Sequence, residues 1–258
     1  FQNSPRRKIS AQLEPKEKPT AQSFMHETEA VAVLNHPNIV TVFDVGEYEE
    51  YLYITMQLIE GESLLSLIRR KLRHPVPSQR FIDTHVALRC MAHTLDALTY
   101  AHSEGVVHQD VKPGNVLIEK ASGRTFLVDF GIARTELTED ESKFVHGTPA
   151  YMPPEQARGE ATDPRADIFA AGVTLWECLA GKLPIQALPA ITLVKVKAKN
   201  PQAFFEMTPM ESSARIDADM ETIIKKAIAC DRDDRYDDCG TFLDDLRGYA
   251  DKKLGVRI

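Results

Sequence analysis

Apolar residues follow two rhythms along this chain, and the change of rhythm divides it into a short strand-bearing part and a long helical part. Residues 24–35 place Phe24, Val31 and Leu34 at helical spacing, with Ala30 filling in, which predicts a helix. Residues 40–45 and 51–56 are rich in β-branched and aromatic side chains and predict two strands, joined by a hairpin-like connection over 46–50. From Ser63 onward the helical period dominates. The longest example, residues 84–102, carries Val86, Leu88, Met91, Leu95 and Leu98 on one amphipathic helix. Residues 106–107, 116–118 and 126–128 predict short strands, and residues 167–179, 219–229 and 241–249 predict further helices. No internal repeat interrupts the pattern.

The polar opening, residues 1–22, has three prolines and five basic residues and reads as a linker or a remnant of poorly formed edge strands. The expected organisation is α+β with two lobes. Residues 23–58 form a partial small lobe of one helix and two strands, and residues 59–258 form a large, mainly helical lobe. Ligand sites favour the cleft between two such units.

Composition narrows the function classes. The 258 residues suffice for one unit of this kind with a sizeable core. A net charge of -7 argues against non-specific binding to nucleic acid. Cys90, Cys178, Cys230 and Cys239 show neither paired spacing nor a metal-ligand pattern, which suits a reducing compartment. No apolar run approaches the roughly 20 residues that span a bilayer, so no membrane contact is expected within this chain. The first residue is Phe, so the chain reads as a fragment or a processed product. The expected location is cytoplasmic, or the cytoplasmic part of a larger membrane-anchored protein.

Chemistry concentrates at residues 108–131. They read His108-Gln109-Asp110-Val111-Lys112-Pro113-Gly114-Asn115, then an apolar run, then Asp129-Phe130-Gly131. One aspartate can accept a proton from a hydroxyl, one lysine can neutralise phosphate charge, and an asparagine with a second aspartate can offer hard oxygen ligands to Mg²⁺. Two more stretches follow in order: Gly147-Thr148-Pro149-Ala150-Tyr151-Met152-Pro153-Pro154-Glu155 and Asp167-Ile168-Phe169-Ala170-Ala171-Gly172. Together these four stretches resemble the catalytic loop, metal-binding loop, activation-segment end and supporting helix of Hanks-type serine/threonine protein kinases. The flavour is bacterial, judging by Gly131-Ile132-Ala133-Arg134 and His36-Pro37-Asn38-Ile39-Val40, and the resemblance covers about residues 24 to 250.

The resemblance implies a role for each residue. Asp110 is the base and Lys112 approaches the γ-phosphate of ATP; Asn115 and Asp129 hold Mg²⁺. Met56 is the gatekeeper, the Gln57 carbonyl and the Ile59 amide pair with adenine, and Leu117 forms the floor beneath the ring. Glu27 fits the helix glutamate of the small lobe, and Lys8 is the candidate for its lysine partner. Lys112 together with Thr148 is the serine/threonine pattern, so the implied partners are ATP and a protein that presents Ser or Thr. Glu155 and Arg235 should form a buried ion pair, and Asp167 should accept backbone hydrogen bonds from the catalytic loop.

The sequence departs from the family pattern in three places. The segment around Lys8 lacks the apolar character of a half-buried strand. A Gly-x-Gly-x-x-Gly loop is expected upstream of the lysine, yet no glycine precedes Gly46. Gln109 stands where most regulated kinases carry an arginine that pairs with a phosphorylated activation loop, and glutamine cannot make that bidentate contact. That loop offers the hydroxyls of Thr135, Thr138, Ser142 and Thr148 among acidic neighbours. The leading expectation is a serine/threonine kinase domain. The competing one is a pseudokinase that binds without catalysing. A small-molecule phosphotransferase fits worse, because such enzymes lack the Gly-Thr…Pro-Glu docking segment.

Overall fold

The computed structural model describes residues 9–15, 31–48, 51–130, 149–184, 188–202 and 216–258. The small lobe is built on an antiparallel sheet of β1 (Ile9–Pro15), β2 (Val42–Tyr48) and β3 (Tyr51–Gln57), with β3 in the middle. Register runs from Ile9 opposite Gln57 to Pro15 opposite Tyr51 on one side of β3. On the other side it runs from Val42 opposite Met56 to Tyr48 opposite Tyr51, with an irregularity between Val42 and Asp44.

Residues 9–15 are therefore a paired edge strand, where the sequence reads as a linker or a poorly formed edge. An edge strand needs ladder partners on one side only, and proline, which brings no N–H, is tolerated at such a position. Pro15 closes the strand. The hairpin is tighter than expected, because Gly46, Glu47 and Tyr48 continue the ladder opposite Tyr53, Leu52 and Tyr51. Residues 31–32 are helical, and the rest of the predicted helix over 24–35 lies outside the described residues.

The strand expected from Val40 starts later because its first residues face another partner. Ile39 bridges Leu127. Val40 N–H donates to the Leu127 carbonyl at 3.1 Å, and Leu127 N–H donates to the Asn38 carbonyl at 2.8 Å. The buried Asn38 side chain donates to the Thr125 carbonyl at 2.8 Å. This stretch ties the small lobe to a second antiparallel sheet of β4 (Gly61–Ser63), β5 (Val116–Glu119) and β6 (Thr125–Leu127). A side chain at Gly61 would put its Cβ 1.8 Å from the Ile118 carbonyl oxygen, so glycine is what lets β4 lie against β5.

The large lobe contains α1 (Leu64–Leu72), α2 (Thr84–Ser103), α3 (Pro154–Ala157), α4 (Arg165–Ala180), α5 (Ala190–Lys199), α6 (Ala218–Ala227) and α7 (Cys239–Tyr249). Caps fix several starts: Asp83 accepts the His85 N–H at 2.9 Å to begin α2, and Asp238 accepts the Thr241 N–H at 2.7 Å to begin α7. The core face of α2 buries Leu88, Met91, Leu95 and Leu98 against α4 and α7. Helix α4 is buried on every side, as its nearly continuous apolar sequence requires. A Cβ at Gly172 would meet Ala227 and Ile228 within 2.8 Å, so this glycine sets how closely α4 and α6 pack. Among the described residues no helix is long and apolar enough to cross a membrane.

Candidate active site

The catalytic loop leaves α2 and reaches β5 without forming the strand expected at 106–107. Its backbone donors go elsewhere. Val106 N–H closes the end of α2 on the Ala101 carbonyl at 2.9 Å. The next donors converge on Asp167, fully buried in the first turn of α4. Its two oxygens accept His108 N–H at 2.8 Å and Gln109 N–H at 2.7 Å. His102 Nε2, from the last turn of α2, sits 2.8 Å from the same carboxylate. Consecutive N–H groups reach one carboxylate because Gln109 adopts φ 64°, the left-handed region that non-glycine residues rarely use. The Gln109 side-chain oxygen is buried with no hydrogen-bond partner among the described residues.

His108 braces the loop from inside. Its Nδ1 accepts Asp110 N–H at 3.2 Å, which leaves Nε2 to donate to the Val128 carbonyl at 3.0 Å. Its ring packs on Phe130 at a centroid distance of 4.4 Å. Burial lowers its pKa, so the ring is held neutral in one tautomer.

On this frame Asp110, Lys112 and Asn115 meet directly. Lys112 Nζ lies 2.5 Å from Asp110 Oδ2. Asn115 Nδ2 donates to the Asp110 carbonyl at 2.9 Å and to its Oδ2 at 3.0 Å. A 3₁₀ turn over Pro113–Asn115 places the asparagine, and Val128 N–H donates to its carbonyl at 3.0 Å. Asp110 keeps about a quarter of its side chain exposed, whereas Asn115 is buried. Asp129 follows at φ 57°. Burial raises its pKa, the Asp110 charge pushes it further up, and Lys112 pulls it down. Asp129 therefore shares its field with the loop residues.

This donor set suits a hard cation shared with a ligand. With its Nδ2 committed to Asp110, Asn115 is left to offer its amide oxygen, and Asp129 offers a carboxylate. Among the described residues no three His, Cys, Asp or Glu side chains cluster as a metal cage. A cation here would need further oxygens from a substrate, which is how Mg²⁺ with nucleotide phosphates is usually held.

Of the proposed nucleotide contacts, Met56 and Gln57 end β3, and Ile59 follows in the extended connection to β4; all three are half-buried. The Gln57 N–H donates to the Thr41 carbonyl at 2.8 Å. Leu117, opposite Ser63 and Phe126 in the second sheet, is half-buried too. Lys8 and Glu27 lie outside the described residues, as do Gly131, Thr135, Thr138, Ser142 and Thr148.

Beyond these residues, a small open pocket lies beside Asp110, walled by Tyr151, Met152, Pro153 and Gln156. The Tyr151 hydroxyl donates to the buried Glu177. Glu155 and Arg235 form a buried bidentate pair at 2.7 and 2.8 Å, and Arg235 also donates to the Ala229 and Arg165 carbonyls. The sequence alone gives no role to His102, Tyr151, Glu177 or Lys197, a buried lysine of α5. Lys197 was visible as a position four residues after Leu193, on one face of a helix that the sequence did not announce.

The protein kinase domain model matches residues 7–241. The chain belongs to the protein kinase domain family. It is 34% identical over 250 residues to a probable serine/threonine-protein kinase PknB of Bifidobacterium longum (strain NCC 2705), covering 90% of this chain and 34% of that protein. It is 35% identical over 227 residues to the serine/threonine-protein kinase pkn3 of Myxococcus xanthus, covering 84% of this chain and 40% of that protein. This kinase-family chain thus spans about a third of the length of the curated relatives it matches. The crystal structure of the Mycobacterium tuberculosis PknI kinase domain superposes with a TM-score of 0.73 at 26% identity, covering 96% of this chain and 86% of that one. The expected Hanks-type, bacterial, α+β kinase fold is therefore correct. Protein kinases take ATP and a protein acceptor, so both belong to the family's chemistry.

Proposed function

We propose that this domain transfers the γ-phosphate of ATP to serine or threonine hydroxyls of proteins. The observation that carries this reading is the contact of Asp110, Lys112 and Asn115 on one loop, anchored by Asp167 and bordered by Asp129. Asp110 presents a part-exposed carboxylate that can take the proton of the acceptor hydroxyl as its oxygen bonds to the γ-phosphorus and the bond from that phosphorus to the bridging oxygen breaks, releasing ADP. Asn115 keeps that carboxylate in one orientation, and Lys112 places its ammonium where phosphate charge would develop. Asn115 and Asp129 would hold Mg²⁺, which supplies charge neutralisation between phosphate oxygens. Met56, Gln57, Ile59 and Leu117 would enclose adenine, and Lys8 and Glu27 would complete the phosphate clamp. Four cysteines without disulfides fit a reducing compartment, and the cytoplasm is the proposed location.

One observation favours a second reading, a nucleotide-binding module without turnover. Residues 1–45 contain no glycine, so they contribute no Gly-x-Gly-x-x-Gly cover for the phosphates. Titration calorimetry with ATP, with and without Mg²⁺, tests the binding half of the proposal. Heat that requires Mg²⁺ and disappears in Asp129→Asn supports it; Mg²⁺-independent binding, or none, sinks the metal assignment. Turnover of bound ATP then separates the kinase from the binding module.

A further inference from the structure

Helix α5 buries a lysine completely. Lys197 lies one turn after Leu193 on the inward face, and where Leu193 fills space with hydrocarbon, Lys197 brings an ammonium. Its Nζ donates to the carbonyls of Pro149, Ala150 and Met152 at 2.6, 2.9 and 2.6 Å. An ammonium has three N–H donors, and here three carbonyls of one four-residue turn accept from it. That turn leads into the wall of the pocket beside Asp110, through Tyr151, Met152 and Pro153.

The far end of the same segment is tied to the same ring. Lys197 Nζ stands 5.4 Å from the Phe169 centroid, and the Arg235 guanidinium stands 5.0 Å from it. Arg235 holds Glu155. Two cations packed on one α4 aromatic thus fix residues 149–152 and residue 155 of one segment.

Resting on the phosphotransfer reading above, we propose that Lys197 is a positioning residue for the protein acceptor, a clip that sets the backbone of 149–152 as the wall against which the acceptor docks. It touches neither nucleotide nor reacting hydroxyl and acts through the carbonyls it holds. A hydrophobic side chain of equal length would fill the slot and leave those carbonyls without this donor. Burial pushes the ammonium well below its usual pKa, so the site bears the cost of hiding a charge, which space-filling alone does not require.

Lys197→Met keeps the stem and removes the donors; Lys197→Gln keeps two N–H donors and removes the charge. The first readout is hydrogen exchange of the Ala150, Tyr151 and Met152 amides in the whole chain. The second is steady-state kinetics with casein as the acceptor, alongside ATP hydrolysis without acceptor. In Lys197→Met, exchange at these amides accelerates by about tenfold or more, with protection elsewhere retained. The KM for casein rises by about tenfold, while the KM for ATP and the acceptor-free hydrolysis rate stay within about twofold of wild type. Lys197→Gln falls between the two and carries the test if the methionine variant does not fold. Unchanged exchange in a folded variant overturns the proposal, and so does loss shared equally among casein KM, ATP KM and kcat. Exchange needs no turnover, so it decides the clip even if the phosphotransfer reading fails.

Discussion

Replacing Asp167 by asparagine should uncouple the catalytic loop from the core while changing hardly any volume. In the wild type two backbone N–H groups reach the two oxygens of one buried carboxylate, with His102 at the second of them. Hydrogen bonds to a charged partner contribute about 1.5–3 kcal/mol each. Asparagine can accept one of the two donors at ordinary strength, but its NH₂ must face the other. That leaves a buried donor without an acceptor, at about 1–3 kcal/mol. The same bonds hold Gln109 at φ 64°, a conformation that costs on the order of 1 kcal/mol and relaxes when they weaken. Adding these effects, Asp167→Asn should lose roughly 2–5 kcal/mol of unfolding free energy in urea. A chain of this size should melt lower by about 2–4 °C per kcal/mol. The folded fraction should also turn over more slowly, because Asp110 sits one residue past Gln109, while ATP affinity changes little. A variant within about 0.5 kcal/mol of wild type would mean that the convergent carboxylate contributes nothing beyond a surface contact, and that Asp167 does not anchor the loop.

Three further outcomes follow. Glu155→Leu and Arg235→Met should each cost about 3–5 kcal/mol, because each strands the partner's buried charge, whereas the double variant Glu155→Leu with Arg235→Met should cost clearly less than the sum; strict additivity in urea melts would contradict a coupled pair. Because burial raises the Asp129 pKa above 3.8, the folded chain holds that proton more tightly than the unfolded one. This group thus favours folding below its ordinary pKa, and the contribution fades as pH rises through the raised value. Asp129→Asn should consequently be at least as stable as wild type at pH 7 while losing Mg²⁺-dependent ATP binding; a variant destabilised by more than about 1 kcal/mol would contradict this. Finally, Gln109 offers no cation to a phosphorylated activation loop, so phosphatase treatment should leave the transfer rate within about twofold, and a large loss mapped to Thr135, Thr138 or Ser142 would oppose it.

Elements with a strong, unbroken period were legible from sequence. Helix α2 shows its apolar face through Leu88, Leu95 and Leu98, all fully buried, and α4 announces itself by being apolar almost throughout. Strand β1 was not legible, because an edge strand ending in proline is specified by ladder pairing with β3 rather than by alternating hydrophobicity. Helix α5 was missed for a related reason, since Lys197 occupies a core position that any hydrophobicity pattern counts as polar. At the site, the spacing of Asp110, Lys112 and Asn115 was readable because a short loop brings them together locally. The bonds of Asp167 with the loop were expected, but the His102 contact with that carboxylate was not. Neither was the buried pairing of Tyr151 with Glu177; both are set by the packing of distant segments on α4.

Phosphotransfer by this domain requires that Asp110 take the acceptor proton. Its most direct test is transfer of radiolabelled γ-phosphate from Mg-ATP to casein by wild type and by Asp110→Asn, with ATP affinity measured on the same samples. Asparagine can keep a contact with Asn115 but cannot accept the proton, and general-base catalysis is typically worth 10²–10⁴-fold. With Asp110 as the base, wild type labels serine or threonine and the variant loses about a hundredfold or more, at unchanged ATP affinity. Transfer by Asp110→Asn within about twofold of wild type, or no transfer by a wild type that binds Mg-ATP, would contradict it.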